Sequence, residues 1–157
     1  MKKTRKLSRL CLSLLLCFAM LGCTAFAAGT GQELCRIGDT YITGGAPSAL
    51  AAKANPSGPY TIFFGWKEVA EFRSVPGAGK TLGVTINNIG DSDIMTYATL
   101  VVDNVRANTE TITIKAGSNY TFYAHTDGDS LNCSVIINAK TTFVNEVGTI
   151  TLTPNQF

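Results

Sequence analysis

The chain has 157 residues, of which 13 are Lys or Arg, 11 Asp or Glu and one His, and only 15% are charged. Lys2, Lys3, Arg5, Lys6 and Arg9 crowd the start, so beyond it 8 basic residues face 11 acidic ones, which lacks the basic footprint of a nucleic-acid binder or of a patch for anionic lipid. A single His and no C-x-x-C pair speak against a zinc site, and the length suits one domain with one core.

Residues 1–27 read as a secretory signal peptide. A basic start is followed by an apolar run from Leu10 to Gly22, broken only by Ser13, and then by Ala25-Phe26-Ala27. These are the three parts of such a signal, and the run is shorter than the ~20 residues of a membrane span. Cleavage after Ala27 frees the rest, residues 28–157, as a secreted domain. Met20-Leu21-Gly22-Cys23 also resembles a bacterial lipobox, and lipid on Cys23 is the alternative outcome. Cys11, Cys17 and Cys23 fall in the signal, leaving Cys35 and Cys133. Two cysteines in an exported chain predict a Cys35–Cys133 disulfide, worth about 4–5 kcal/mol in the chain-entropy account. Two separate buried thiols are the alternative.

From 28 to 59, Gly and Pro punctuate the chain and predict a loop-rich segment. Leu34 to Ile37 and Thr40 to Thr43 read as short edge strands. Ser48 to Asn55 has room for one or two helical turns before Pro56 stops them. Tyr60 to Phe64 is apolar at nearly every position and reads as a central strand. Lys67 to Val75 reads as a strand leading into Pro76-Gly77. Thr81 to Asn88 alternates, with Leu82, Val84 and Ile86 on one face. Turns at 90–93, 103–104, 116–119 and 126–129 separate strands at 94–103, 109–115, 120–125 and 131–140. Phe143 to Leu152 reads as two short strands across Asn145-Glu146.

Short alternating strands between Gly/Asn/Asp turns predict an all-β chain: a two-sheet antiparallel β-sandwich, immunoglobulin-like or jelly-roll, with one wet face per sheet and an irregular N-terminal segment. Gly83-Val84-Thr85-Ile86-Asn87-Asn88-Ile89-Gly90, Leu100-Val101-Val102-Asp103-Asn104 and Thr111-Ile112-Thr113-Ile114-Lys115-Ala116-Gly117 resemble bacterial immunoglobulin-like surface modules, including the cell-adhesion-related class. That resemblance, over roughly residues 80–140, implies a binding or spacer role without catalysis.

Chemistry-bearing patterns are few. Gly77-Ala78-Gly79-Lys80-Thr81 is like the end of a phosphate-binding loop, but its first glycine is replaced by Ser74 and a strand follows. His125 reads as a surface residue at a strand end, and Ser118 and Ser130 lack a nucleophile setting. Asp91/Asp93 and Asp127/Asp129 invite calcium, yet alternating turns put the two pairs at opposite ends. Glu68 and Glu71 do not define a hydrolytic cleft. Trp66, Tyr97 and Tyr123 are the candidate binding side chains, since exposed rings stack on sugars. The expectation is a non-enzymatic extracellular binding or structural module, without cofactor or metal, whose partner is an extracellular protein or glycan. A carbohydrate-binding module is the alternative, and a membrane-active protein or small secreted hydrolase lies further off.

Overall fold

The computed structural model describes residues 31–49 and 55–157, so the signal segment, Cys23 and most of the stretch from 48 to 55 lie outside the described residues. Among the described residues, eleven strands make two antiparallel sheets: β1 (Glu33–Ile37), β2 (Thr40–Gly45), β3 (Ser57–Ile62), β4 (Lys67–Arg73), β5 (Thr81–Asn88), β6 (Ile94–Val102), β7 (Val105–Asn108), β8 (Ile112–Ile114), β9 (Asn119–Thr126), β10 (Ser134–Thr141) and β11 (Gly148–Gln156). The first sheet runs β1-β2-β9-β5-β11-β3. The second runs β4-β10-β6-β7, with β8 also pairing β6.

The expected all-β sandwich is the observed one. From β3 to β6, and again from β8 to β11, every connection changes sheets, so the loops at each end close the sandwich. Alternation places the core as the period of two requires. Val84, Ile86, Phe122, Ile150 and Leu152 of the first sheet face Ile94, Leu100, Val135 and Ile137 of the second, and all are fully buried. Thr96 also points inward, and its hydroxyl donates to the Asn138 carbonyl at 2.8 Å; a buried hydroxyl without such a partner costs stability.

Several elements differ from the sequence reading. Tyr60 to Phe64 does not form a central strand: β3 stops at Ile62 and lies at the sheet edge. β2 is interior, between β1 and β9. Residues 105–108 form a hairpin strand on β6, closed by Asp103 and Asn104 with φ of 48° and 65°, the left-handed pair that such two-residue turns need. The C-terminal stretch is one long strand, β11, and residues 143–147 turn before it.

Cys35 and Cys133 are free thiols, so the expected disulfide is absent. Register explains it. The Cys35 Sγ faces the Ala107 carbonyl of β7 at 3.9 Å. Cys133 precedes Ser134, which pairs with Val101 of β6. Cys35 thus packs against β7, while Cys133 leads into β10 on the other side of β6. Burial pushes the Cys133 thiol up to about 11, only partly countered by Ser74.

One buried polar group organises an end of the sandwich. Asn88, 1% exposed, ends β5. Its Nδ2 donates to the Ser92 carbonyl at 2.8 Å and to the Ile114 carbonyl at 3.1 Å, and its Oδ1 accepts from the Gly90 amide at 3.3 Å.

Two predictions follow from packing. Asn88→Ala strips donors from two carbonyls and lowers stability by about 3 kcal/mol, read by urea denaturation; a loss under about 1 kcal/mol counts against the role given to this side chain. Alkylation in denaturant without prior reduction labels both the Cys35 and the Cys133 peptide, and a Cys35–Cys133 cross-linked peptide in the same digest contradicts the register argument.

Candidate functional site

Seven of the nine exposed large hydrophobic side chains among the described residues lie at one end of the sandwich, between 43% and 69% exposed. Phe63, Phe64 and Trp66 come from the β3–β4 connection, Ile89 from β5–β6, and Phe143, Val144 and Val147 from β10–β11. Register brings them to the same end: Ile62 pairs with Gly148, Asn88 with Ile150 and Ile94 with Thr141.

Each loop is held by its own polar atoms, which leaves the apolar side chains outside. The Thr141 amide donates to the Phe63 carbonyl at 3.1 Å, and Gly65, with φ 107°, turns the chain toward Trp66. The Thr141 hydroxyl donates to the Phe143 carbonyl at 3.1 Å, and the Phe143 amide donates to Glu146 Oε2 at 3.2 Å. The Thr142 hydroxyl reaches the Asp93 carbonyl at 3.2 Å. Asp93 in turn accepts from Lys115 Nζ at 2.6 Å and from the Ala116 amide at 3.1 Å. These bonds hold the Asp93 carboxyl below its ordinary range, Lys115 contributing most.

Of the three ring residues expected at a site, two come together and one does not. Trp66 and Tyr97 lie 4.8 Å apart, ring centre to ring centre, edge to face at 68°. The Lys140 ammonium sits 5.0 Å from the Trp66 ring and 5.6 Å from the Phe64 ring. All four side chains stand on the outer face or rim of the second sheet. Trp66, 43% exposed, is a surface residue because β4 begins only after it.

Tyr123 lies on the outer face of the other sheet and is only 4% exposed. Its hydroxyl donates to the Ala46 carbonyl at 2.7 Å, so the chain leaving β2 lies against it. Its ring fills the space over Gly83, where a Cβ stands 3.2 Å from the ring. That face is therefore closed at its centre rather than wet. Thr43, Thr85 and Thr121 are buried there too, and Thr85 and Thr121 share a 2.8 Å hydrogen bond.

His125 belongs to this closed face, which the sequence reading missed. It stands between Tyr41, at 5.3 Å, and Tyr123, at 6.1 Å. Its Nε2 and Nδ1 meet the Thr43 and Thr81 hydroxyls, each at 3.0 Å. Arg36 caps the stack at 4.4 Å from the Tyr41 ring and pairs with Glu33 at 2.7 Å and Asp127 at 3.0 Å. Asp91/Asp93 and Asp127/Asp129 lie at opposite ends, with Asp93 and Asp127 each held by a protein cation.

The end away from the aromatic loops is polar. A groove of about 510 Å³ there is lined by Glu71, Arg73, Asp103, Arg106 and Asn132, with Cys133 in its wall. A neighbouring groove of about 360 Å³ includes Asp39, Thr126 and Ser130. Gly77 to Lys80 form a turn at this end and lead directly into β5.

No protein-family model matches the sequence, and no curated protein does. Among solved structures the chain is similar to the crystal structure of PirA, at 10% identity and a TM-score of 0.40, over 77% of this chain and 97% of that one. The overlap is too loose to carry any residue's role across.

Burial lowers the His125 pKa from its ordinary 6.5, with Asp127 opposing weakly. The unfolded chain therefore takes up this proton first as pH falls. The stabilisation is whole above about pH 6.5 and is lost as pH drops through the lower folded value. Stability measured between pH 7 and 5 falls with acidity in the native chain and is flatter in His125→Asn; equal slopes count against burial of a neutral imidazole.

Proposed function

We propose that the chain is an exported, non-catalytic binding module whose working surface is the aromatic end of the sandwich. The observation that carries this is the gathering of seven large apolar side chains on three cross-tied loops, while the other exposed large hydrophobics among the described residues, Val75 and Val105, lie singly elsewhere. Contiguous apolar patches of this size mark interaction sites in soluble proteins. The non-catalytic part is supported by His125, the chain's one His, whose two ring nitrogens are occupied by threonine hydroxyls. A general base needs one of them free toward a substrate.

A carbohydrate reading rests on the exposed Trp66 beside Tyr97. The rings stand edge to face, so they offer one stacking surface rather than a flat platform. The test is depletion from solution by peptidoglycan, insoluble polysaccharides and whole cells. Substituting Phe143 and Val144 by Ser lowers depletion at least tenfold if the end is the working surface. Depletion by one polysaccharide alone, lost in Trp66→Ala, makes the ligand a glycan. Depletion unchanged by any of these substitutions defeats the proposal.

A further inference from the structure

Resting on that reading, we infer that the aromatic end docks on a phospholipid surface with zwitterionic, choline-bearing headgroups, its loops entering the headgroup layer. Three observations point to that occupant.

The first is shape and area. The side chains project from loop tips, and neither polar groove reaches them. At exposures of 43–69% they present on the order of 600 Å² of apolar surface. A contiguous apolar surface of that order marks an interaction site. A soft interface accepts a projecting tip without a complementary hollow, and its affinity scales with the apolar area inserted.

The second is charge. The rim of this end carries Lys67, Lys115 and Lys140 among Glu68, Asp91, Asp93 and Glu146. With Lys115 paired to Asp93, the rim has both signs and no basic excess. An anionic surface would select a polybasic rim; mixed signs complement a headgroup layer that itself carries paired phosphate and ammonium.

The third is ring chemistry. Phe64 and Trp66 already hold an ammonium group, that of Lys140, near their rings. Aromatic rings attract quaternary ammonium ions by the same interaction, and Trp is a preferred residue at the depth of the headgroups. The polar grooves at the far end face away from such a surface.

The experiment is co-sedimentation of the exported chain with phosphatidylcholine vesicles, in 0.1 M and in ~1 M salt, alongside Phe143→Ser/Val144→Ser and Trp66→Ala. Phe143 and Val144 are 66% and 69% exposed, so the double variant keeps its circular dichroism and melting curve. The expected result is binding retained at high salt, a blue shift of Trp66 emission on vesicles, and at least a tenfold weaker partition for the double variant. Every variant carries the same N-terminal segment, so the difference reads the loops alone. The inference is overturned if the vesicles leave the chain in solution, if the double variant binds like the parent, or if ~1 M salt releases the chain. A concentration-dependent dimer that Val144→Ser dissolves also overturns it, in favour of a second copy as the occupant. If vesicles fail while the same substitutions abolish depletion by cells or polysaccharide, the binding-module reading stands and only the lipid falls. If the substitutions alter neither, both fall.

Discussion

Two of the loops at the aromatic end are joined by one buried carboxamide. Asn88 closes β5 at the point where the chain leaves the first sheet for the second. Its side chain satisfies the Ser92 and Ile114 carbonyls, while its backbone accepts from Gly117 and donates to Ser118. The loops at 89–93 and 115–118 are thus tied through a single residue. A hydrophobic side chain here fills the same space but leaves those carbonyls unpaired in a dry setting, which is costly. Polar specificity at this point is what lets the neighbouring loops be fixed without burying their own apolar residues.

That last point turns on a competition. Phe63, Phe64, Phe143 and Val144 gain free energy from leaving water, and flexible loops carrying them would fold back onto the sandwich. They stay out because the loop backbones are already committed. The Thr141 hydroxyl and the Glu146 carboxylate hold the 143–146 turn, and the Thr141 amide holds Phe63. Folding the rings inward requires breaking these bonds against a core that is already full. The exposed end is therefore a consequence of satisfied backbone, and its apolar surface is available to a partner.

Much of the fold was legible. Leu82, Val84 and Ile86, or Val135 and Ile137, announce their faces by alternation, and Asp103-Asn104 announces its turn. What misled was composition without length. Tyr60 to Phe64 looks like a buried strand because four apolar residues in five are cheapest inside. The chain cannot use them so, since Ile62 already meets Gly148 at the head of β11 and the next residues must cross to the other sheet. The same holds at Phe143-Val144, whose β propensity is real but whose place is a crossover. A pair of large apolar residues next to a Gly or an Asn-Glu step, at the end of a run rather than within it, was the available signal. Cys35 and Cys133 misled differently: cysteine counting gives parity, and only register gives distance.

The candidate rings illustrate the limit of alternation most sharply. Tyr97 and Tyr123 read alike in sequence, on strands with a wet outer face, whereas Trp66 reads as a strand-end residue after Phe63-Phe64-Gly65. Alternation does sort residues correctly relative to their own sheet, and Tyr123 indeed points opposite to Phe122. Whether the outward side is wet is decided by what crosses it, and that is a property of a connection. The chain leaving β2 lies against Tyr123 through Ala46, so the outer face of the first sheet became a second, polar interior of threonines and His125. Beside the second sheet Trp66 stays exposed and Tyr97 half-buried. A sandwich of this kind can carry a binding face only where its connections leave one uncovered. Here the crossovers at one end, rather than the strands, leave large apolar side chains uncovered.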